Sequence, residues 1–242
     1  MSIVKILPEL CLAGGTQMAL DDGLLDTAES VIARRYTWVP PALSLGKFQA
    51  APDVPEAATG EQPSSQAQAA AGLPFDVVRR PTGGRAVLHG EEFEWSFAVA
   101  FPPGALGARA RAGLDVAKPY EIVAGAFAGA LRDLDVDLDE SGESSYQRSA
   151  LCFSTVLRHD LLSRGEKLVA IAQARRGGRV LVHGSVLERR PPDELVVAVE
   201  SLLRESWQGE GLAGAGLLLA PEMIWRRVLV RLEAVLRGLV PA

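Results

Sequence analysis

Residues 79–89 read Arg79-Arg80-Pro81-Thr82-Gly83-Gly84-Arg85-Ala86-Val87-Leu88-His89, or RRPTGGRAVLH, and this stretch decides how the rest of the chain is read. The apolar run Phe75-Asp76-Val77-Val78 feeds straight into it, so the two arginines end a strand. Pro81 and Thr82 bend the chain, and Gly83 and Gly84 let the backbone approach a ligand closely with its N–H groups presented. Such a loop suits an anion or an acyl carbonyl. A bare Gly-Gly pair beside arginines is more often a tight hairpin with solvated cations, so its neighbours must carry the functional reading.

Outward from the loop, the chain mixes both secondary-structure periods. Thr16 can cap a helix over residues 16–34, with Met18, Leu24, Leu25, Ala28, Val31 and Ile32 on one face. Ahead of it, MSIVKILPELCLAGG carries a Lys and a Pro within its apolar stretch, making a poor signal peptide and a first strand instead. The segment TWVPPALSLGKFQ turns at Pro40 and Pro41 and offers a strand over 42–45, ended by Gly46. Residues 51–73, rich in Ala, Pro, Ser and Gln, read as a surface-loop insertion. Residues 94–100 alternate as a strand, 119–134 form a helix with small residues on one side, and 137–149 are a polar loop. Strands over 167–173 and 179–187 are joined by ARRGG, with glycines where a hairpin turn needs positive φ. Amphipathic helices over 192–205 and 221–239 complete the chain. Without strict βαβ alternation, the fold class is α+β, a mixed β-sheet flanked by helices.

Bulk properties narrow the class further. The 242 residues, 48% hydrophobic and 23% charged, suffice for one sizeable core, so residues 1–242 are expected to form one domain. A formal charge of −5 argues against a nucleic-acid partner. No apolar run reaches the roughly 18 residues of a membrane span. Two cysteines, Cys11 and Cys152, make no disulfide framework, so a reducing, cytoplasmic setting is expected. Three histidines and two cysteines at these spacings give no metal signature.

The stretch 79–89 resembles the RRxTGGxxVxH signature of the biotin/lipoate protein ligase and octanoyltransferase superfamily. Upstream, QMALDDGLL and YTWVPPALSLGKFQ resemble its first helix and its W-x-P…S-x-G-x-x-Q strand. Downstream, CFSTVLRHDLLSRGEKLVAIAQARRGGRVLVHGSVL is similar to the block C-F…D/E-L…G-x-K-x-x-G-S-A-Q-x-R…x-H-G-S-I-L. Several motifs in order cover most of residues 15–187. The resemblance implies a class II biotin/lipoate ligase-like catalytic domain, with a large mixed sheet and a smaller second sheet.

Branches of this superfamily run different chemistry. Ligases activate a free acid with ATP and need no nucleophilic cysteine. Octanoyltransferases take the acyl group from acyl carrier protein onto cysteine, then pass it to a lysine. Cys152 decides between them, because it occupies the Cys-Phe pair where the branch that serves the glycine-cleavage H protein carries its nucleophile. Outside that context a Cys beside Phe is usually a small buried hydrophobe. The chemistry needs a thiolate, so a nearby cation or helix N-terminus is expected to lower its pKa. Lys167, otherwise an ordinary strand-end lysine, matches the family lysine that reaches the acyl carbonyl, and could stabilise a tetrahedral oxyanion or the thiolate. Arg80, Thr82, Gly83, Gly84 and His89 are assigned to the wall of the acyl and pantetheine site, with His183 and Gly184 on the facing strand. His159 is read as a surface histidine, with a general base as the alternative, and Cys11 as structural.

The expected function is therefore octanoyl transfer from acyl carrier protein through Cys152 to a lipoyl-carrier lysine, such as that of the H protein. No cofactor is expected; the acyl group arrives on phosphopantetheine, and ATP with magnesium would enter only for a lipoate–protein ligase. A second alternative, a non-catalytic acyl- or lipoyl-domain-binding relative, rests on Ala170-Ile171 replacing the family's Gly-Ser. Gly90 also follows His89 where the family often has Asp. Strand alternation puts Ile171 on one face with residues 169 and 173 and with Lys167 too, so Ile171 is expected to point towards the acyl carbonyl. On that reading Ile171 narrows the acyl site, and its replacement by Ser should admit bulkier acyl groups.

Overall fold

The fold has two sheets, and residues of both border the cavity that forms the candidate site. The computed structural model describes residues 2–50, 52, 72–107, 115–140 and 149–239. In chain order these give β1 (Val4–Ile6), β2 (Leu10–Leu12), α1 (Gly14–Thr27), β3 (Val31–Trp38), β4 (Ala42–Leu45), β5 (Asp76–Arg79), β6 (Val87–His89) and β7 (Glu94–Phe101). Then follow α2 (Ala117–Arg132), β8 (Leu161–Ser163), β9 (Glu166–Arg176), β10 (Arg179–Leu187), α3 (Asp193–Leu203), the single turn α4 (Gly211–Gly214) and α5 (Pro221–Leu239). The large sheet runs β1-β3-β7-β10-β9-β8, with β2 also on β3, and the small sheet runs β5-β4-β6. Parallel pairs β1–β3 and β2–β3 among antiparallel ones make the large sheet mixed. The α+β expectation and its smaller second sheet both hold.

Each face of the large sheet has its own cover. On one, α2 and α5 bury Trp95, Phe97, Phe127 and Trp225, with the Phe97 and Phe127 rings 4.2 Å apart. Alternate residues of α2 are alanines, which lets it lie close to the strands. Burying one large apolar side chain contributes roughly 1.5–3 kcal/mol, so this cluster dominates the core. On the other face, α1 packs Met18 and Leu25 against Tyr36, Trp38, Ala98 and Leu181. The small sheet and α3 form a third cluster around Leu43, Val77, Leu88, Val196 and Val199.

Several expectations need correction. The first helix begins at Gly14 with Ala13 as its cap, and Thr16 lies inside it. It also ends at Thr27, because residues 31–38, VIARRYTW, are β-branched and aromatic and form the buried strand β3. The opening segment is two short strands, since Pro8 separates them. Strands β6 and β8, each three residues, escaped the reading because so few residues show no period. The hairpin between β9 and β10 turns at Gly177 and Gly178, both at positive φ, as the spacing required. Most of the 51–73 insertion and residues 141–148 of the polar loop lie outside the described residues. Among those described, no helix is long and apolar enough to cross a membrane.

Candidate active site

The sequence builds the site by stapling three segments onto the β9–β10 floor. Arg80, at the end of β5, turns its guanidinium back into its own loop. Its Nη1 donates to the Ser44 carbonyl (2.8 Å) and Oγ (3.1 Å), and its Nη2 to the carbonyls of Gly83 (3.1 Å) and Arg85 (2.6 Å). Burial pulls this guanidinium down to about 10, and the nearby Cys152 and Tyr36 pull the other way. It therefore remains a fixed cation at neutral pH. Gly84 takes φ +99, and a Cβ on Gly46 would meet the Gly84 carbonyl oxygen at 2.1 Å. The Gly-Gly loop thus lies directly on the strand-end glycine of the 42–49 segment, an approach that side chains forbid.

Two buried polar chains hold this loop to the large sheet. The Thr82 hydroxyl donates to His183 Nε2 (2.6 Å), and His183 Nδ1 donates to Asp21 Oδ2 (2.8 Å). The same carboxylate oxygen accepts from the Tyr36 hydroxyl (2.8 Å), and Arg34 Nε lies 3.4 Å from Oδ1. Burial lowers the His183 pKa, with Asp21 opposing, so a neutral ring with its proton on Nδ1 fits both partners. In the second chain, His89 Nε2 meets Ser44 Oγ (2.7 Å) and its Nδ1 faces Glu94 Oε2 (3.2 Å). The His89 ring stacks on Trp38 at 4.0 Å. Sequence reasoning missed Asp21, Tyr36, Ser44 and Glu94, because polar partners of a buried histidine follow no spacing rule.

Cys152 sits on a third segment. Its N–H donates to the Ala86 carbonyl (2.9 Å), and the Ala150 N–H is held by the Glu205 carboxylate (2.7 Å). The Lys167 ammonium donates to the Cys152 carbonyl (2.7 Å) and stands 4.0 Å from its Sγ. It is also paired with Asp160 Oδ2 at 2.6 Å, with both side chains 2% exposed. Asp160 is the residue most consequentially missed; as the acid of the D-L pair in a motif it carried no visible partner. Burial pushes the Cys152 thiol up from its ordinary value; Lys167, Arg80 and Arg85 oppose this, and Asp160 reinforces it. The expected lowering of this pKa is thus not met, because burial outweighs the nearby cations, and Asp160 adds to it.

These segments enclose a cavity with about 550 Å3 of empty space, its open mouth included. Cys152, Arg80, Gly84, His89, Ile171, His183 and Gly184 all border it, together with Asp160. Thr82 and Gly83 stand behind this wall through their bonds to His183 and Arg80, and Lys167 stands behind Cys152. His159 lies elsewhere, half-buried and stacked on Tyr120 at 4.6 Å. Cys11 is exposed on β2, with its Sγ 3.3 Å from Glu91 Oε2, so it fills no core position.

Ile171 borders the cavity, yet its side chain belongs to the core on the opposite face of the sheet. It pairs with Gly184, whose missing Cβ would strike the Phe97 ring at 2.6 Å, and Phe97 lies under α2. The pairing of Leu161 with Val169 but Leu162 with Lys167 shows one extra residue in β9, at Leu168. That bulge breaks the alternation, so Lys167 falls in phase with Ala170 and not with Ile171. The expectation that both point into the acyl site is corrected accordingly. Ile171→Ser should cost roughly 2–4 kcal/mol from lost apolar packing and a buried hydroxyl. It should leave relative rates with octanoyl, decanoyl and lipoyl donors unchanged, as parallel melting and donor-competition assays would record.

Fold and site together define a class: an α+β domain with a cysteine–lysine pair beside a cavity that opens to the surface. Residues 14–201 match the model of the lipoyl protein ligase A/B catalytic domain, and the chain belongs to that family. It is 32% identical over 200 residues to the octanoyltransferase LipM of Carboxydothermus hydrogenoformans, covering 81% of this chain and 68% of that protein. To LipM of Kyrpidia tusciae it is 36% identical over 170 residues, covering 67% and 56%. In fold it is similar to a lipoate-protein ligase A solved with ATP, at TM-score 0.67 and 17% identity, covering 98% of this chain and 86% of that one.

Proposed function

We propose that this protein is an octanoyltransferase of lipoate biosynthesis, moving an octanoyl group from acyl carrier protein through a Cys152 thioester to a lysine of a lipoyl-carrier protein. One observation carries the mechanism: a cysteine borders the cavity with a buried ammonium 4.0 Å from its sulfur. The activity of the similar LipM octanoyltransferases supports the same reading. In the first half-reaction the Cys152 sulfur attacks the donor thioester carbonyl, and the pantetheine thiol leaves. In the second, an amine attacks the new thioester and Cys152 regains its proton. Lys167, behind Cys152, lends its positive charge to the carbonyl oxygen as it becomes negative, and Arg80 adds fixed positive charge nearby. The cavity holds the acyl chain away from water. The proposed acceptor is the H protein, or another lipoyl domain with an exposed lysine.

Exchange of one thioester for another is nearly balanced, and amide formation drives the sequence forward, so neither ATP nor magnesium should be needed. With octanoyl carrier protein as donor, intact mass should gain one octanoyl group at Cys152 in the presence of a chelator. Transfer that occurs solely with ATP and free octanoate would identify a ligase instead.

A further inference from the structure

Two depressions share one acidic residue. Among the described residues Asp160 is the one acid bordering the inner cavity, whose described charged lining also includes Arg80 and Arg85. Outside, the region between α2 and β8 forms a shallow groove with about 1030 Å3 of empty space, open solvent included. Ala124, Gly125, Ala128, Arg158 and Leu162 border this groove, and so does Asp160, the one residue it shares with the inner cavity.

The second half-reaction poses a problem that this arrangement answers. A lysine arrives as an ammonium and must reach a thioester whose surroundings are cationic: Lys167, Arg80 and Arg85. The inner cavity is by then filled with the acyl chain. A cation is drawn instead to the outer groove, whose described lining sets Asp139, Glu140 and Asp160 against Arg132 and Arg158, with Asp160 itself held in its pair with Lys167. Among the described residues, Lys167 and the Leu157 N–H both bind Oδ2 of Asp160, and Oδ1 is the oxygen offered to a second cation.

Resting on the proposed acyl transfer, we infer that the α2–β8 groove docks the acyl acceptor, a protein segment presenting a lysine, and that Asp160 receives its ammonium beside the Cys152 thioester. The ammonium gives up one proton to solvent, and the free amine attacks the thioester carbonyl carbon. The C–N bond forms, the C–S bond breaks, and the second amine proton ends on the Cys152 sulfur. Asp160 thereby separates the routes of donor and acceptor: the acyl arm enters the inner cavity, and the lysine comes from the helix side.

Gly125 supplies the test. It is exposed on α2, and a Cβ built on it meets nothing within 4 Å, so a side chain can leave the helix there without a clash at its root. Replacing a helical glycine also favours the helix. The full chain would be charged with octanoyl from its carrier protein and chased with H protein. Gly125→Trp should form the Cys152 adduct at the wild-type rate and lose at least tenfold in kcat/KM for H protein, mainly through KM. Hydroxylamine, a small nucleophile, should discharge the adduct as it does in wild type. Gly125→Arg, which adds repulsion to bulk, should lose at least as much, whereas Gly238→Trp on α5 should transfer normally. Wild-type transfer to H protein by both Gly125 variants would overturn the groove assignment. Failure of the wild-type protein to form any Cys152 adduct would overturn the acyl-enzyme reading itself.

Discussion

Cys152→Ser is expected to abolish octanoyl transfer, by several powers of ten, while the protein stays folded. The sulfur lies on the cavity wall, and its segment is positioned by backbone bonds to Ala86 and the Glu205 carboxylate, neither of which involves the side chain. An alcohol in its place stands beside the Lys167 ammonium, which is already paired with Asp160 and is no base to ionise it. Serine could at best form an ester, a poorer acyl donor to an amine than a thioester. Loss of a sole nucleophile commonly removes most of the rate enhancement. Intact-mass detection of the acyl-enzyme, with a melting curve for the fold, gives the readout. Transfer at the wild-type rate would sink the cysteine mechanism.

The same residue has a pH signature. Burial raises the Cys152 pKa, so the thiol holds its proton at neutral pH. Attack requires the thiolate, and raising the pH by one unit below that pKa multiplies the thiolate fraction about tenfold. Acyl-enzyme formation should therefore climb with pH through the neutral range and level off above the ordinary thiol value. A rate flat from pH 6 upward would mean that the donor's arrival, or a cation freed from Asp160, has already ionised the sulfur.

What could be read in the sequence divides along a physical line. RRPTGGRAVLH, the Cys-Phe pair and the His-Gly pair of β10 are local patterns, and the structure gathers them around one cavity. The hairpin glycines and the strand over 42–45 were legible because turn chemistry and Pro-bounded apolar runs act over a few residues. The helix that was expected to run to residue 34 failed for the opposite reason. Val31 and Ile32 fit a helical face by spacing, but tertiary burial between β1 and β7 makes them strand. Ile171 was placed on the wrong face because one residue of bulge, invisible in composition, inverts every assignment on one side of it. The ion partners Asp160 for Lys167 and Asp21 for His183 lie 7 and 162 positions away, and neither separation announces itself.

Lys167→Met tests the other half of the pair, and its effect should split into two separable parts. The methionine fills most of the lysine's volume but offers no donor to an oxyanion or to the Cys152 carbonyl. Losing one such donor costs about 100- to 1000-fold in turnover where it has been measured in other enzymes. The substitution also leaves the Asp160 carboxylate buried without its ammonium, and breaking a buried pair from one side destabilises by roughly 3–5 kcal/mol. Adding Asp160→Asn removes the orphaned charge. The double variant should recover much of the lost stability, since a neutral amide of the same shape can still accept from the Leu157 N–H. It should recover none of the lost transfer, because the ammonium is still missing. Melting temperatures and single-turnover acylation, measured on both single variants and the double, separate the two roles. If the double variant regained transfer together with stability, Lys167 would be a structural partner of Asp160 alone, and the oxyanion would have to be met by Arg80 or by the backbone.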